Sequence, residues 1–164
     1  NRWDFSGLKV EEDLPVRVIR MSDGELLDRD ESWMVLNLAR VNGSDWSDIN
    51  NTIDTNKFQE SVFKCIEALD ADFDAERAQR ENENADRVSF QIQSAEKHKE
   101  RQLKARQEAL ERYRYTGKTQ MIPAMEGRLR KIQERFDVQK EQLTLKSQLN
   151  SSYVEVCCGA ILVE

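Results

Sequence analysis

Residues 55–115 read TNKFQESVFKCIEALDADFDAERAQRENENADRVSFQIQSAEKHKERQLKARQEALERYRY, and this stretch decides the architecture of the chain. It lies inside a run of 73 residues, from Ser44 to Thr116, that contains neither glycine nor proline. Asp54 or Thr55 is expected to cap a helix at its start, because a short polar side chain can accept a backbone hydrogen bond there. Apolar residues then recur every three or four positions, which is the spacing of one helix face. That face is formed by Phe58, Val62, Ile66, Leu69 and Phe73.

The centre of this stretch interrupts the apolar spacing. Residues 76–87 are almost entirely polar and include Asn82 and Asn84, so a break or bend is expected near Asn82–Asp86. The spacing then resumes, and Tyr115-Thr-Gly117 is a signal for the end of the helix. The resumed face comprises Val88, Ile92, Ala95, Leu103, Leu110 and Tyr113.

A second charged helix is predicted after a turn near 116–122. Pro123 suits the first turn of a helix. The apolar residues that follow have a heptad-like spacing, and Asn150-Ser-Ser is expected to end the helix. The residues of this spacing are Met125, Leu129, Ile132, Phe136 and Leu143.

The two predicted helices differ in length. At 1.5 Å per residue, 55–115 would span about 90 Å, whereas 123–149 would span only about 40 Å. We therefore expect 86–115 to pair with 123–149 in an antiparallel coiled-coil hairpin. Residues 55–80 would then pack on the rest of the chain or stay exposed for a partner.

The globular core is expected in the first 46 residues, because all three tryptophans lie there. They are Trp3, Trp33 and Trp46. Residues Pro15–Met21 alternate in polarity and are rich in β-branched side chains, and Asp23-Gly24 follows them. An Asp-Gly step between two such runs predicts a β-hairpin.

A short helix over 31–41 is expected after the hairpin, with Asp30 as its cap. Trp33, Leu36 and either Ala39 or Arg40 would share one face of it. A short strand over Trp33–Leu36 is the alternative, since periodicity does not separate the two. At the other end of the chain, Tyr153–Val163 is predicted to be a strand that bends at Gly159 and returns to the hairpin.

The predicted fold class is therefore α+β, with a small antiparallel sheet platform and a long antiparallel coiled-coil helical hairpin. The platform is expected over 1–54, the hairpin over 55–150, and the returning strand over 151–164. Charged residues make up 34% of the chain and apolar residues only 38%, which is low for one compact core of normal size. A helical shape with a narrow apolar seam suits that composition.

Cysteine usage and hydropathy favour a cytoplasmic protein without a membrane partner. Cys65, Cys157 and Cys158 are odd in number and include an adjacent pair, which is not a disulfide framework. No apolar run approaches the roughly 18 residues that a membrane span needs, and no signal peptide is visible. Because the chain begins at Asn1 without methionine, we expect it to be a piece of a longer protein.

No pattern of residues predicts catalysis, a cofactor or a metal. His98 is the only histidine, so a catalytic triad or a zinc site lacks ligands, and a solvated surface position is expected for it. Gly117-Lys118-Thr119 resembles part of a phosphate loop, but Arg112 stands where the first glycine of that loop is needed. The chain itself is not expected to be an enzyme.

The acidic chain contains a basic segment. The net charge is −6, yet Glu96–Arg135 contains twelve basic and six acidic residues and has a net charge of +6. Basic side chains interleaved with tyrosines suit contact with phosphates and stacking on bases. An acidic protein surface, including that of a second copy, and simple solvation of a charged coiled coil are the alternatives. The residues predicted to contact nucleic acid or a partner are Lys104, Arg106, Arg112, Tyr113, Arg114, Tyr115, Lys118, Arg128, Arg130 and Lys131.

The run Tyr113–Ile132, YRYTGKTQMIPAMEGRLRKI, resembles the C-terminal accessory region of bacterial Swi/Snf-type helicase-like ATPases. In that region a charged helix leads into a turn, a "Met-x-Gly-Arg-Ile/Leu-Arg" segment and a second charged helix. The ending Val154–Val163 is similar to the strand that closes such chains, with departures at Ala160 and Ile161. The resemblance covers most of the chain.

The resemblance implies that the parent protein is an ATP-dependent helicase or translocase acting on nucleic acid. The ATPase motifs are not in this sequence, so no catalytic residue is carried over. The chain would be an accessory domain that contacts nucleic acid, other parts of the parent ATPase, or a partner. A protein-interaction or homodimerisation arm without nucleic-acid binding is the alternative function.

Overall fold

The computed structural model describes residues 1–44 and 53–162. The chain combines helices with small antiparallel sheets and is 66% helical. It forms two compact units. The first unit comprises Asn1–Ser6, Val10–Gln79 and Ser151–Glu164, and the second comprises Gly7–Lys9 and Arg80–Asn150. The expected core position of Trp46 lies outside the described residues.

A three-stranded sheet in the first unit has the order β2-β1-β5. Strand β1 (Arg2–Ser6) pairs antiparallel with β2 (Val10–Asp13), with Trp3 opposite Asp13. Strand β5 (Asn150–Val154) lies on the other side of β1. Alternation along β1 turns Trp3 and Phe5 to one face, where both are buried.

Three buried aromatic rings, Trp3, Phe5 and Phe73, form the core of the first unit, and the 43% exposed Tyr153 ring lies at its edge. The Phe73 ring lies 5.5 Å from Trp3, 5.6 Å from Phe5 and 5.1 Å from Tyr153, measured between ring centroids. Leu69, one helical turn before Phe73, is also buried. The apolar face predicted for the first part of the long helix is therefore covered at Leu69 and Phe73 by this chain's own core.

The predicted β-hairpin is present but short. Strand β3 (Ile19–Arg20) pairs antiparallel with β4 (Glu25–Leu26), and Gly24 has a φ of 75°, which a side chain rarely tolerates. The Asp23 carboxylate accepts the Glu25 N–H and pairs with the Arg20 guanidinium. These two interactions, the backbone hydrogen bond first, lower the pKa of Asp23.

Helix α1 (Arg29–Asn42) begins two residues earlier than predicted, with Asp28 rather than Asp30 as its cap. Asp28 and Glu31 form a reciprocal capping box, in which the Asp28 carboxylate accepts the Glu31 N–H at 2.8 Å. The alternative strand over Trp33–Leu36 is therefore wrong.

The predicted core face of α1 is also wrong. Trp33 is 40% exposed and Leu36 is 37% exposed, whereas Ser32 is fully buried. The Ser32 hydroxyl accepts the Val18 N–H at 3.0 Å. The fully buried residue of α1 is therefore a serine that makes a polar contact, and not the tryptophan that the sequence suggested.

Helix α2 (Thr55–Tyr115) is one continuous helix of 61 residues, so the break expected near Asn82–Asp86 is wrong. The Asp54 carboxylate accepts the Asn56 N–H at 2.9 Å, which confirms the predicted start. After Tyr115, Gly117 has a φ of 69° and ends the helix as predicted.

Helix α3 (Ile122–Leu145) follows a short 3₁₀ turn, Thr119–Met121. Pro123 lies in its first turn, as predicted. The helix ends at Leu145, which is earlier than expected. Asn150-Ser-Ser does not mark the helix end as predicted, since it belongs to strand β5. The buried residues of α3 are Met125, Phe136 and Leu143.

The strand predicted over Tyr153–Val163 is wrong in extent, because β5 covers Asn150–Val154 and residues 155–162 contain no regular secondary structure. Its predicted return to the hairpin is also wrong, since β5 lies beside β1 and the β3–β4 hairpin forms a separate sheet. Cys157 and Cys158 are free and exposed within residues 155–162. Cys65 on α2 is half-buried, and burial raises the pKa of its thiol. Within residues 1–44 and 53–162, no helix has the length and apolar character needed to cross a lipid bilayer.

Candidate nucleic-acid interface

A cleft of about 730 Å³ in the second unit is lined by side chains of α2 and α3. Five of its nine lining residues are arginine or lysine, and none is a carboxylate. Helix α2 contributes His98, Arg101, Gln102, Ala105 and Arg106, and helix α3 contributes Arg128, Lys131, Ile132 and Arg135. The cleft therefore concentrates positive charge in a chain whose net charge is negative.

Helical spacing explains why the cations of α3 meet in the cleft. Arg128, Lys131 and Arg135 are three and four positions apart, so they share one helix face. Ile132 lies among them, and Ala105 of α2 also lines the cleft. These two are the apolar lining residues, and neither carries a ring on which a base could stack.

Carboxylates do not neutralise the cleft cations within the part of the chain that the structure describes. None of the five forms an ion pair there, and the Nε of Arg101 donates instead to the Lys97 carbonyl oxygen at 3.2 Å. Elsewhere on the same two helices, the Lys140 ammonium lies 3.1 Å from the Glu96 carboxylate. Among the described residues, the cleft cations thus have no carboxylate within ion-pair distance, whereas Lys140 does.

Three of the predicted contact residues line the cleft: Arg106, Arg128 and Lys131. Another five lie at the end of α2 and in the turn that follows: Arg112, Tyr113, Arg114, Tyr115 and Lys118. Lys104 and Arg130 are exposed on α2 and α3 and do not line the cleft. The structure therefore places three of the ten predicted residues in a cleft group and five in a turn group, and leaves Lys104 and Arg130 in neither.

The turn group is partly paired and strongly exposed. The Arg114 guanidinium lies 3.5 Å from the Glu126 carboxylate of α3. The Nε of Arg112 donates to the Glu108 carbonyl oxygen at 3.4 Å. Tyr115 is 94% exposed, so its ring is accessible, but it is not among the residues that line the cleft.

Sequence reasoning left Arg101 and Arg135 out of the predicted contact residues, although both lie in the basic segment. The four-residue step from Lys131 to Arg135 is the signal that could have found Arg135. His98, expected at a solvated position, is exposed and also lines the cleft, where its Nε2 lies 2.8 Å from the Gln102 amide nitrogen.

Comparison with known proteins gives no relative: no family model, curated protein or solved structure matches the chain. In residues 1–44 and 53–162, no group of three or more His, Cys, Asp or Glu side chains is placed to hold a metal ion.

Proposed function

We propose that this chain is a non-catalytic accessory domain that contacts nucleic acid through the basic cleft and turn formed by α2 and α3. The observation that carries the proposal is the cluster of five cations around one cleft, with no carboxylate among the lining residues. Cations that replace condensed counterions on phosphates supply most of the affinity of nonspecific nucleic-acid binding.

We further propose that the second half of α2 and helix α3 form an antiparallel helical hairpin. Three contacts support it, because residue numbers fall along α3 as they rise along α2. The Lys140 ammonium meets the Glu96 carboxylate, the Lys99 ammonium lies 4.0 Å from the Phe136 ring centroid, and Arg114 pairs with Glu126. The hairpin would bring the cations of both helices to one end.

The resemblance of Tyr113–Ile132 and Val154–Val163 to Swi/Snf-type helicase-like ATPases suggests the setting of this activity. In that setting the parent protein is an ATP-dependent helicase or translocase in the cytoplasm, and this domain holds the nucleic acid or docks on another part of the parent. Sequencing the complete gene and finding a helicase-type ATP-binding core beside this region would support the assignment, and its absence would contradict it.

Binding of a single-stranded oligonucleotide should weaken steeply with salt. If the five cleft cations each contact a phosphate, log K should fall against log salt with a slope of about −3.5. Between 50 and 200 mM salt the affinity should then drop by roughly 100-fold. Fluorescence anisotropy of a labelled oligonucleotide across that salt range measures both quantities.

Polyglutamate of equal charge is the control ligand, because it presents carboxylates instead of phosphates. It should compete poorly with the oligonucleotide. Equal competition would indicate a site for acidic protein surfaces, and a chain that binds no oligonucleotide at 50 mM salt would contradict the proposed function.

A homodimerisation arm is the second candidate function, and the exposed apolar side chains of α1 favour it. Met34 is 63% exposed, Leu38 56% and Val41 72%, in addition to the exposed Trp33. Burying such a face against a second copy would remove apolar surface from water. Multi-angle light scattering should then show a dimer whose dissociation constant rises in a Trp33→Ser/Leu38→Ser variant. A strict monomer at high protein concentration would exclude this function.

A further inference from the structure

We infer that the cleft takes the linked phosphates of a single nucleic-acid strand, in preference to a duplex and without reading the bases. The inference rests on the proposed function and assigns the ligand of the same site. Its starting observation is that cations enter the cleft from two helices: Arg101 and Arg106 from α2, and Arg128, Lys131 and Arg135 from α3.

The arrangement of cations favours one strand. Because the cleft is lined by both helices, a backbone lying in it meets positive charge on both sides. A convex duplex resting on a protein surface meets charge on one side only. A groove of positive charge that follows a single backbone is the recurring solution among proteins that bind single strands.

The size of the cleft supports the same choice. Its volume of about 730 Å³ is that of a site for a small ligand. Such sites measure roughly 300–1,000 Å³. A few consecutive phosphates and sugars of a flexible strand fit this space. A stiff duplex, whose major groove alone is about 12 Å wide, would have to insert one of its backbones while its other strand stays attached.

The lining residues do not suit base-edge recognition. Base-edge readout needs paired donors and acceptors. Gln102 is the one amide among the lining residues, and its nitrogen lies 2.8 Å from the His98 ring. The His98 ring and the arginine guanidinium planes of the cleft can stack on a base, but stacking does not distinguish one base from another. Binding in the cleft is therefore independent of sequence, and the five cations act on phosphates.

The chain offers two triple variants that remove the same amount of charge at different places. The cleft variant is Arg101→Gln/Arg106→Gln/Lys131→Gln. The control variant is Arg87→Gln/Lys97→Gln/Lys140→Gln, at residues that neither line the cleft nor belong to the turn group. Each variant removes three positive charges, two of them from α2 and one from α3.

The cleft variant should lose about 100-fold in affinity for a single strand at 0.1 M salt, because three phosphate contacts each contribute about 0.7 decades. The slope of log K against log salt should become less steep by about 2 in this variant. The control variant should stay within about fivefold of the unaltered chain, since charges outside the contact are screened over about 10 Å.

A duplex of the same sequence should bind more weakly than the strand, and its affinity should fall by the same factor in both variants. Short inorganic polyphosphate should displace the strand from the unaltered chain and bind the cleft variant more weakly, because its phosphates share the chemistry.

Different results would contradict the inference and the proposed function. Equal losses in the two variants, or a duplex that binds more tightly with the same dependence on the cleft, would overturn the inference while nucleic-acid binding stands. A chain that binds polyphosphate in the cleft but neither strand nor duplex at 50 mM salt would overturn both. Far-UV circular dichroism of each variant establishes that the helices remain folded.

Discussion

Replacing Phe73 with alanine is expected to lower the free energy of unfolding by about 4 kcal/mol, within the usual range for a buried phenylalanine. Phe73 is 6% exposed and its ring contacts those of Trp3, Phe5 and Tyr153. Each aromatic pair adds about 0.5–1.5 kcal/mol beyond the area it buries. The substitution removes the ring that all three partners share, so their packing is lost together.

The expected loss is a large fraction of the roughly 5–15 kcal/mol that holds a domain folded. Urea unfolding followed by tryptophan fluorescence measures it, because Trp3 is fully buried against this ring. The midpoint should fall clearly below that of the unaltered chain. If the loss of stability is larger still, part of the variant will be unfolded without urea, and its fluorescence will already differ from that of the folded chain.

Phe63→Ala is the matched control, since Phe63 lies on the same helix and is 61% exposed. Its removal should change the free energy of unfolding by no more than about 0.5 kcal/mol, as is usual for surface substitutions. Similar losses at Phe63 and Phe73 would show that the aromatic cluster does not hold the first unit together.

Local signals explain which parts of the fold could be predicted. The turn at Asp23-Gly24, the cap at Asp54 and the stop at Gly117 each depend on a few neighbouring residues, and each is present in the structure. Strand β2 reads Val-Glu-Glu-Asp and has no alternation, so only its pairing with β1 makes it a strand. That pairing is a property of the fold and has no local signal.

The cleft shows the same division between local and distant information. Charge counting along the sequence located the basic segment, and spacing places Arg128 and Lys131 on one helix face. Which residues of α2 stand opposite them depends on the register between two helices. Arg101 was therefore missed, whereas Lys104 was predicted but does not line the cleft.

Asn84→Leu is expected to lower the free energy of unfolding by about 3 kcal/mol, because it leaves buried polar groups without partners. Asn84 is 6% exposed and its side chain is fully used. Its Oδ1 accepts the Leu8 N–H at 2.8 Å, and its Nδ2 donates to the carbonyl oxygens of Lys146 at 2.8 Å and Ser147 at 3.0 Å. The sequence around this asparagine predicts a break in the helix, yet the helix continues and the side chain makes contacts distant in sequence.

Asn82→Leu is the matched control, since Asn82 is exposed two positions earlier on the same helix. It should change the free energy of unfolding by less than about 0.5 kcal/mol. Urea unfolding followed by far-UV circular dichroism suits both variants, because the helices of the second unit dominate that signal. Equal effects at the two positions would mean that helix propensity, rather than the hydrogen bonds of Asn84, determines the change in the free energy of unfolding.

A substitution at Gly7, between β1 and β2, probes the hydrogen bond from the Leu8 N–H to Asn84. A Cβ added at Gly7 would lie 2.7 Å from the Asn84 Oδ1, which the Leu8 N–H holds in place. Gly7→Ala should therefore destabilise the chain by displacing the Asn84 side chain. In the Asn84→Ala background that obstacle is absent, so the second substitution should cost much less. Residues in direct contact typically show coupling energies of about 0.5–3 kcal/mol in such a cycle. Strict additivity of the two substitutions would mean that the glycine is not needed for the asparagine to approach, because each residue would then act independently of the other.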